Sequence, residues 1–330
     1  MATYKGINGF AVQSVATDPS PSNEGQVWYN NASYAFKLAA VTTTGAWATG
    51  GSLNTARNAL VGAGTQTAAL GFGGSTTGPV ANTESYNGTS WTAVNALNTA
   101  RGSGGGAGIQ TSALLFGGFA TTPVGTTESW NGTSWTTSPA SLNTARFQMM
   151  GCGASNTSAL AFGGIQNPSV PTITGATESY NGSSWTNVNS LNTARRLGAG
   201  TGIITAALCF GGLTTAGYVG NTETWNGTSW SEVNVLNTTR RNSAGNVGTN
   251  TAALASGGIL PTDAVTAATE SWNGTSWTTT TSMATARGAS GGAGTNTVGL
   301  VFGGETPSVT GATEEWTGPG VATTKTITTS

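Results

Sequence analysis

The sequence contains no histidine, only two cysteines and very little charge. Eleven Lys and Arg residues stand against twelve Asp and Glu in 330 residues, so charged residues make up 7% of the chain, where about 25% is usual. A net charge of −1 provides no broad basic surface, which argues against nucleic-acid binding by phosphate neutralisation. The missing histidine removes the commonest general base and metal ligand. We therefore expect no metal, no cofactor and no enzymatic activity.

Long apolar segments are also missing. No apolar run approaches 18 residues, so we expect no membrane insertion, and residues 1–15 lack the apolar centre of a signal peptide. Cys152 and Cys209 lie 57 residues apart, which fits neither a zinc site nor a disulfide framework, and we expect buried thiols. Eleven Trp, nine Phe and six Tyr residues argue against a disordered chain, because such side chains are costly to leave in water.

The chain is dominated by an internal repeat. Leu-Asn-Thr-Ala-Arg occurs four times and is followed by two variants, Leu-Asn-Thr-Thr-Arg and Met-Ala-Thr-Ala-Arg, at spacings of 44 to 49 residues. A period in this range is typical of propellers and other repeat folds. The arginines that end these six motifs are Arg57, Arg101, Arg146, Arg195, Arg240 and Arg287.

Each repeat continues with four short segments. A glycine-rich stretch precedes an apolar run that ends in Gly-Gly, and Thr-Glu follows with an aromatic residue two positions after the Glu. In five repeats this aromatic is followed directly by Asn-Gly-Thr/Ser-Ser-Trp, and Asn-Gly is a strong hairpin signal. Short segments punctuated by Gly predict strands. The glutamates of the six Thr-Glu motifs are Glu84, Glu128, Glu178, Glu223, Glu270 and Glu314.

These features resemble the kelch repeat. In the second unit the pattern comprises the run 114–118 (Leu-Leu-Phe-Gly-Gly), then Trp130, Trp135, Leu142 and Arg146. The resemblance covers residues 45–316 and implies a β-propeller of four-stranded blades. The spacing of five residues between the two aromatics is slightly tighter than in most kelch repeats, and the units are closer to identical and poorer in charge.

The chain termini indicate how the propeller closes. The last unit ends at Trp316 without its hairpin and its final Trp. Trp47 lies ten residues before Arg57, just as the final Trp of each other repeat lies ten or eleven residues before the next repeat arginine. We predict an all-β, six-bladed propeller in which the strand around Trp47 completes the sixth blade beside Trp316. Closure of this kind removes open sheet edges.

The charged residues of the repeat suggest a structural role. By strand alternation, each Arg begins the first strand of a blade and each Glu the third, on the same face, about 10 Å apart. We expect six Arg–Glu bridges that hold the blades in register. The alternative is an open ring of arginines at the channel mouth that captures an anion.

Variable segments follow each Gly-Gly pair and are expected on one face, the arrangement of a recognition surface. Four side chains stand out there among small polar residues. They are Phe119, Tyr218, Asp263 and Glu305. We interpret them as candidate residues of a binding face.

Residues 1–44 lie outside the repeat and are predicted to form an extension with a hairpin, while residues 317–330 are predicted to form a C-terminal tail. The element Gly-Gln-Val-Trp-Tyr-Asn at 25–30 resembles a short module of tailed-phage virion proteins, and with the propeller it resembles kelch-like structural proteins of marine tailed phages. The resemblance implies a tail-fibre or decoration protein of the extracellular particle that contacts other virion proteins through residues 1–44.

Three function classes follow. The first is a non-enzymatic virion protein that serves host-surface attachment, by a glycan or a protein, or decorates the particle. The second is a protein- or glycan-binding module outside a virion, and the third, which the residue inventory disfavours, is a propeller glycoside hydrolase or lyase. Homo-oligomerisation is left open.

Overall fold

A computed structural model describes residues 12–19, 26–41, 44–169, 172–320 and 322–327. These residues contain 29 strands and no helix, and therefore no helix that could cross a membrane. They divide into two compact units, Met1–Gly45 with Thr317–Ser330 and Ala46–Trp316. The prediction of an all-β fold made of repeated four-stranded antiparallel sheets is confirmed.

The smaller unit is a single four-stranded sheet. Its strands, in sheet order, are β1 (Gln13–Val15), β2 (Val27–Asn30), β3 (Ala35–Val41) and β29 (Ala322–Thr326). Strand β1 runs parallel to β2, and the other neighbours are antiparallel. Strand β29 of the C-terminal tail is paired with β3 of the N-terminal hairpin, so the tail and the hairpin share one sheet.

Burial alternates along strand β2 of this small sheet, where Trp28 and Asn30 are buried and Val27 is exposed. Trp28 and Asn30 donate side-chain hydrogen bonds of 2.9 and 2.7 Å to Asp18, and the Asn30 bond, then the Trp28 bond, hold the pKa of Asp18 below its usual value. On the opposite face, Val27 and Phe36 are exposed to 38% and 48%. An exposed apolar face of this kind is typical of an interaction surface.

The larger unit consists of six sheets, which we call blades 1 to 6 in chain order from Arg57. The first strands of the blades are β5 (Val61–Gly64), β9 (Gly105–Ile109), β13 (Met150–Ser155), β17 (Ala199–Ile203) and, in blade 6, β26 (Gly291–Gly294). The second strands are β6 (Ala69–Phe72), β10 (Ser112–Phe116), β14 (Ser158–Phe162), β18 (Ala206–Phe210), β23 (Ala253–Ser256) and β27 (Val298–Phe302). The third strands are β7 (Thr83–Tyr86), β11 (Thr127–Trp130), β15 (Thr177–Tyr180), β21 (Thr222–Trp225), β24 (Thr269–Trp272) and β28 (Thr313–Thr317). The outer strands are β8 (Trp91–Val94), β12 (Trp135–Thr137), β16 (Trp185–Val188), β22 (Trp230–Val233), β25 (Trp277–Thr280) and, in blade 6, β4 (Ala46–Gly50).

Blade 5 differs from the expected four-stranded pattern. Its sheet has three strands, β23-β24-β25, because the segment in place of a first strand holds one extra residue, Asn246. Asn246 has a φ of 61°, a conformation that does not continue a strand. In blade 4 the Gly-Gly loop adds a small hairpin of β19 (Leu213–Thr214) and β20 (Gly217–Tyr218).

Glycine lets the first strands approach one another. Gly62 occupies the fifth position after Arg57, a position that is glycine in all six blades. A Cβ atom on Gly62 would lie 2.2 Å from the carbonyl oxygen of Gly292 in blade 6. Any larger residue would push neighbouring blades apart, so the glycine-rich stretches are explained by backbone crowding at the centre.

Aromatic side chains fill the space between blades. Trp135 begins the outer strand of blade 2, packs with its ring centroid 5.0 Å from that of Phe72 in blade 1 and donates a buried hydrogen bond of 2.9 Å to Thr83 Oγ1. The same tryptophan-to-threonine bond recurs at four further blade boundaries. The pairs are Trp91–Thr313, Trp185–Thr127, Trp230–Thr177 and Trp277–Thr222.

A cycle of backbone hydrogen bonds joins all six blades. In each blade the residue two positions after the repeat arginine donates its N–H to the carbonyl oxygen of the equivalent residue in the preceding blade, over 2.7–3.0 Å, and Ala59 completes the cycle by donating to Ala289. All six have φ between 51° and 57°, the left-handed region that turns both backbone groups toward the neighbours. The members are Ala59, Ser103, Gln148, Leu197, Asn242 and Ala289.

Strands from the two ends of the larger unit meet in blade 6, where the order is β26-β27-β28-β4. The rings of Trp47 and Trp316 lie 5.2 Å apart. The boundary with blade 5 departs from the other five, because Trp47 donates to the backbone oxygen of Thr281 instead of a threonine hydroxyl. Thr269 Oγ1 is left buried without a hydrogen-bond partner.

Candidate functional site

The repeat arginines and glutamates form six ion pairs, each within one blade and fully or almost fully buried. The oxygen–nitrogen distance is 2.6 Å in the Arg240–Glu270 pair and 2.5 Å in the Arg146–Glu178 pair. The other pairs are Arg57–Glu84, Arg101–Glu128, Arg195–Glu223 and Arg287–Glu314. The arginines are therefore paired with carboxylates and do not form the open ring of the alternative hypothesis.

Each glutamate also fixes the turn that enters its blade. Glu128 accepts hydrogen bonds of 2.7 and 3.2 Å from the backbone N–H groups of Asn98 and Thr99, next to its contact with Arg101. Burial lowers the pKa of the Arg101 guanidinium, while Glu128 opposes that shift. The Leu-Asn-Thr-Ala-Arg motif is thus conserved between repeats because its amides and its arginine share one buried carboxylate.

The differences between the repeats concentrate on one face. We call it the loop face, because it carries the Gly-Gly loops and the residues directly after each repeat arginine. These residues pair with the residue after Gly-Gly, as Asn58 does with Ser75 and Arg241 with Ile259. The first position after the arginine is Asn58, Gly102, Phe147, Arg196, Arg241 or Gly288. Side-chain chemistry therefore changes from blade to blade around the centre of this face.

A cavity of about 240 Å³ opens at this centre, and we call it the axial cavity. Its wall includes Asn58, Gln148, Arg241, Asn242 and Glu305 together with backbone of the glycine-rich strands. A wall of backbone amides and small polar groups suits a polar ligand.

Asn246 forms the floor of the axial cavity. It lines both this cavity and a second one of about 120 Å³, whose other lining residues are mainly glycines of the first strands. Its side-chain amide donates a hydrogen bond of 3.0 Å to the carbonyl oxygen of Gly62 in blade 1, and its backbone N–H donates to Gly200. The extra residue of blade 5 thus separates the two cavities.

The rim of the axial cavity has chemically distinct sectors. Phe119 and Phe147 form an apolar sector between blades 2 and 3, with ring centroids 5.1 Å apart. Between blades 6 and 1, Glu305 accepts a hydrogen bond of 2.7 Å from the Asn58 amide. A third sector spans blades 3 to 5 and contains two arginines that are not part of the six ion pairs.

Arg241 is held by a cluster from two blades. Its Nε donates a 2.8 Å hydrogen bond to the Tyr218 hydroxyl, its Nη2 lies 3.3 Å from Asp263 Oδ1, and its guanidinium carbon lies 5.3 Å from the centre of the Tyr218 ring. The Tyr218 hydroxyl donates to Asp263. Hydrogen bonds from Tyr218 and then Arg241 lower the pKa of Asp263, so this carboxyl stays ionised beside the arginine.

Arg196 has a neutral partner. Its Nη1 donates a 2.6 Å hydrogen bond to Gln148 Oε1, while its Nε is buried without a partner. Among the described residues no carboxylate lies within ion-pair distance of Arg196. Burial, and then the nearby charge of Arg241, lower the pKa of Arg196.

The structure gives the four loop residues singled out from the sequence different environments. Tyr218 and Asp263 meet around Arg241, Phe119 packs on Phe147, and Glu305 is bound to Asn58. Sequence reasoning missed Arg196, Arg241 and Gln148. The sequence did contain a signal for the two arginines. The position after the repeat arginine varies while the motif before it is nearly constant, and two repeats carry Arg-Arg there.

Cys152 and Cys209 are free and fully buried in one core cluster of blades 3 and 4. Burial is the main reason why the pKa of both thiols is raised, and it brings the pKa of Cys209 to about 12. Within the part of the chain that the structure describes, no group of His, Cys, Asp and Glu side chains is arranged to hold a metal ion.

Comparison with known proteins identifies the fold. No protein-family model and no curated protein matches the chain. Among solved structures, YjhT, which has a kelch-type propeller-like fold, superimposes with a TM-score of 0.68 at 12% sequence identity, covering 84% of this chain and 99% of YjhT. At this identity the similarity shows a β-propeller and nothing about activity.

Proposed function

We propose that this protein is a non-enzymatic recognition and display protein of a phage particle, whose propeller presents the loop face to a host-surface glycan or protein. The observation that carries the proposal is the distribution of differences between the repeats. Nearly identical blades differ in chemistry at the position after the repeat arginine, which is Asn58, Phe147, Arg196 or Arg241 in four of them, and Asn58 and Arg241 line the axial cavity. A rigid scaffold with varied residues at one mouth suits recognition.

The proposed lack of catalysis is supported by the state of the carboxyl groups at the rim. Asp263 is bound to Arg241 and Tyr218, and Glu305 to Asn58. A general acid or base needs a carboxyl group free to exchange a proton with substrate. Carboxylates that are paired in this way serve better to hold rim side chains in place.

The virion location rests on the smaller unit. Its Val-Trp-Tyr-Asn strand β2 belongs to the element that resembles tailed-phage modules, and its Val27 and Phe36 side chains form an exposed apolar face. We propose that this unit attaches the protein to another virion protein. Decoration of the particle without host binding is the weaker form of the same proposal.

The first test is proteomic. Mass spectrometry of purified particles should detect the chain at a fixed ratio to a major virion protein, before and after a high-salt wash. Its absence from particles, together with retained binding of the purified chain to a cell surface, would favour a recognition module outside a virion.

The second test addresses the loop face. Binding of the labelled full chain to host cells should weaken at least about tenfold in Ser75→Phe, which adds an aromatic ring at the rim where blade 2 tolerates Phe119. The control Thr133→Phe places the same ring in an exposed Asn-Gly turn and should leave binding unchanged. Equal binding by the unaltered chain and both variants would show that recognition does not use the loop face near Ser75.

A further inference from the structure

The charges of the larger unit are unevenly placed. Outside the twelve paired repeat positions, residues 46–316 contain six charged side chains, and four of them lie on the loop face. Arg196 and Arg241 lie in blades 4 and 5, and Asp263 is within ion-pair distance of Arg241. Asp263 is 75% exposed and is already engaged with Arg241 and Tyr218. Among the described residues no carboxylate lies within ion-pair distance of Arg196.

The charge of Arg196 is therefore not paired within the described residues. Its Nη1 donates to the neutral amide oxygen of Gln148, and its Nε is buried without a hydrogen bond, as is the Nε of four repeat arginines. A buried charged donor without an acceptor is unfavourable. Gln148 lines the axial cavity, so the hydrogen bond to its side chain places the Arg196 guanidinium beside a residue of the cavity wall.

We propose that the axial cavity binds the anionic group of a small, hydroxyl-rich ligand, with Arg196 as its charge partner and Arg241 as a second, pre-positioned cation. A guanidinium with free donors suits a carboxylate or a phosphate oxygen pair. The remaining wall, with Asn58, Ser103 and Asn242 side chains, offers hydrogen bonds to hydroxyl groups. The cavity floor at Asn246 limits the ligand to one small ring or to the end residue of a longer chain.

This inference rests on the proposed function and names the chemistry of its ligand. Uronic acid residues and sugar phosphates share this chemistry, and both are components of cell-surface polymers. The probes are glucuronate, glucose 6-phosphate and, as the neutral match, glucose.

The test is titration of the full chain with each probe, followed by saturation-transfer NMR and calorimetry. We expect at least one of the two anionic probes to bind at millimolar concentration and glucose to bind at least about tenfold more weakly. The affinity for the anionic probe should fall as added salt screens the charge. The stronger anionic probe identifies the carboxylate or the phosphate as the natural group. Equal binding of glucose, or no binding of either anion, would overturn the proposal.

The repeats supply matched variants. Arg196→Asn installs the residue that blade 1 carries at the equivalent position, Asn58, so the fold should accept it. Glu232→Thr installs the equivalent Thr279 of blade 5 on an outer strand, away from the lining of the axial cavity, and serves as the control. We expect Arg196→Asn to weaken anion binding at least about tenfold and Glu232→Thr to leave it unchanged.

The two proposals fail separately. If Arg196→Asn binds the anionic probe as well as the unaltered chain does, the anion site is wrong even when the protein is found in particles and binds cells. If the chain is absent from particles but Arg196→Asn loses anion binding, the site stands and the virion role falls. An unchanged circular dichroism spectrum and unfolding midpoint exclude misfolding as the cause of lost binding.

Discussion

At the residue scale, the molecule depends on ionic groups removed from water. Six buried carboxylates each accept from one arginine and from the amides of one turn. Burying an ion pair is costly, and the attraction repays that cost only when the remaining hydrogen bonds are satisfied. The bonds from the turn amides satisfy the carboxylates, whereas the Nε of Arg101, Arg146, Arg240 and Arg287 is buried without a partner. One carboxylate thus links the turn, the first strand and the third strand of a blade.

This arrangement predicts a large effect of neutralising one partner. Glu128→Gln keeps an acceptor for the amides of Asn98 and Thr99 but leaves Arg101 as a buried unpaired charge, so we expect a loss of about 3–5 kcal/mol in unfolding free energy. The double variant Glu128→Gln with Arg101→Met removes the charge and should be less destabilised than Glu128→Gln alone. Urea unfolding measures the unfolding free energy of each single variant and of the double variant. A loss in the double variant equal to the sum of the two single losses would contradict a dominant role of the unpaired charge.

At the element scale, five blade boundaries share a tryptophan that donates a hydrogen bond to a threonine hydroxyl of the neighbouring blade, and the sixth boundary lacks this bond. Trp135 donates to a buried threonine hydroxyl. Trp47, on the strand contributed from the other end of the unit, is only half-buried and donates to the backbone at an exposed site. The unpartnered hydroxyl of Thr269 marks the same boundary. The strand that closes the ring therefore forms the boundary between blades 5 and 6 that lacks the tryptophan-to-threonine hydrogen bond.

A comparison of two equivalent tryptophans tests this difference. Trp135→Phe leaves Thr83 Oγ1 buried without its donor, and we expect a cost of about 1–3 kcal/mol from that group in addition to lost packing. Trp47→Phe should cost less, because no buried hydroxyl loses a partner. Thermal unfolding of the two variants measures the order, and an equal or larger loss for Trp47→Phe would show that the closing boundary is as tightly held as the others.

At the scale of the whole molecule, the cycle of backbone hydrogen bonds from Ala59 to Ala289 makes each blade depend on two neighbours. Blade 6 is complete only when β4 pairs with β28. A missing outer strand leaves an open edge and exposes Trp316, which is buried in the complete unit.

Two truncations that differ by five residues test the closure. The fragment 46–316 contains β4 and should fold as a monomer with near-native aromatic circular dichroism. The fragment 51–316 lacks β4 and should unfold at a lower temperature and associate through its open edge. Size-exclusion chromatography and thermal melts provide the comparison. Identical behaviour of the two fragments would show that β4 does not stabilise the propeller.

Much of this architecture was predictable from the sequence, because a repeat places equivalent residues in equivalent surroundings. The spacing of the arginines, the missing hairpin after Trp316 and the extra Trp47 led to six blades and to the strand that closes the last one. The Arg–Glu contacts followed from strand alternation. The pairing of the tail with the N-terminal hairpin was not predictable, because the pairing of Thr323 with Ala40 joins positions far apart in a sequence without any repeat to relate them.

The sequence by itself determined everything that repeats, because each blade must satisfy the same glycines, aromatics and buried charges, and counting reveals it. The tertiary structure alone decided what happens where the repeats differ. Tyr218 and Asp263, 45 residues apart, meet at Arg241 because the left-handed turns of the backbone cycle bring neighbouring blades together at one mouth. The single extra residue Asn246 reaches across to Gly62 for the same reason. Contacts between unlike side chains depend on this convergence in space, which no local pattern encodes.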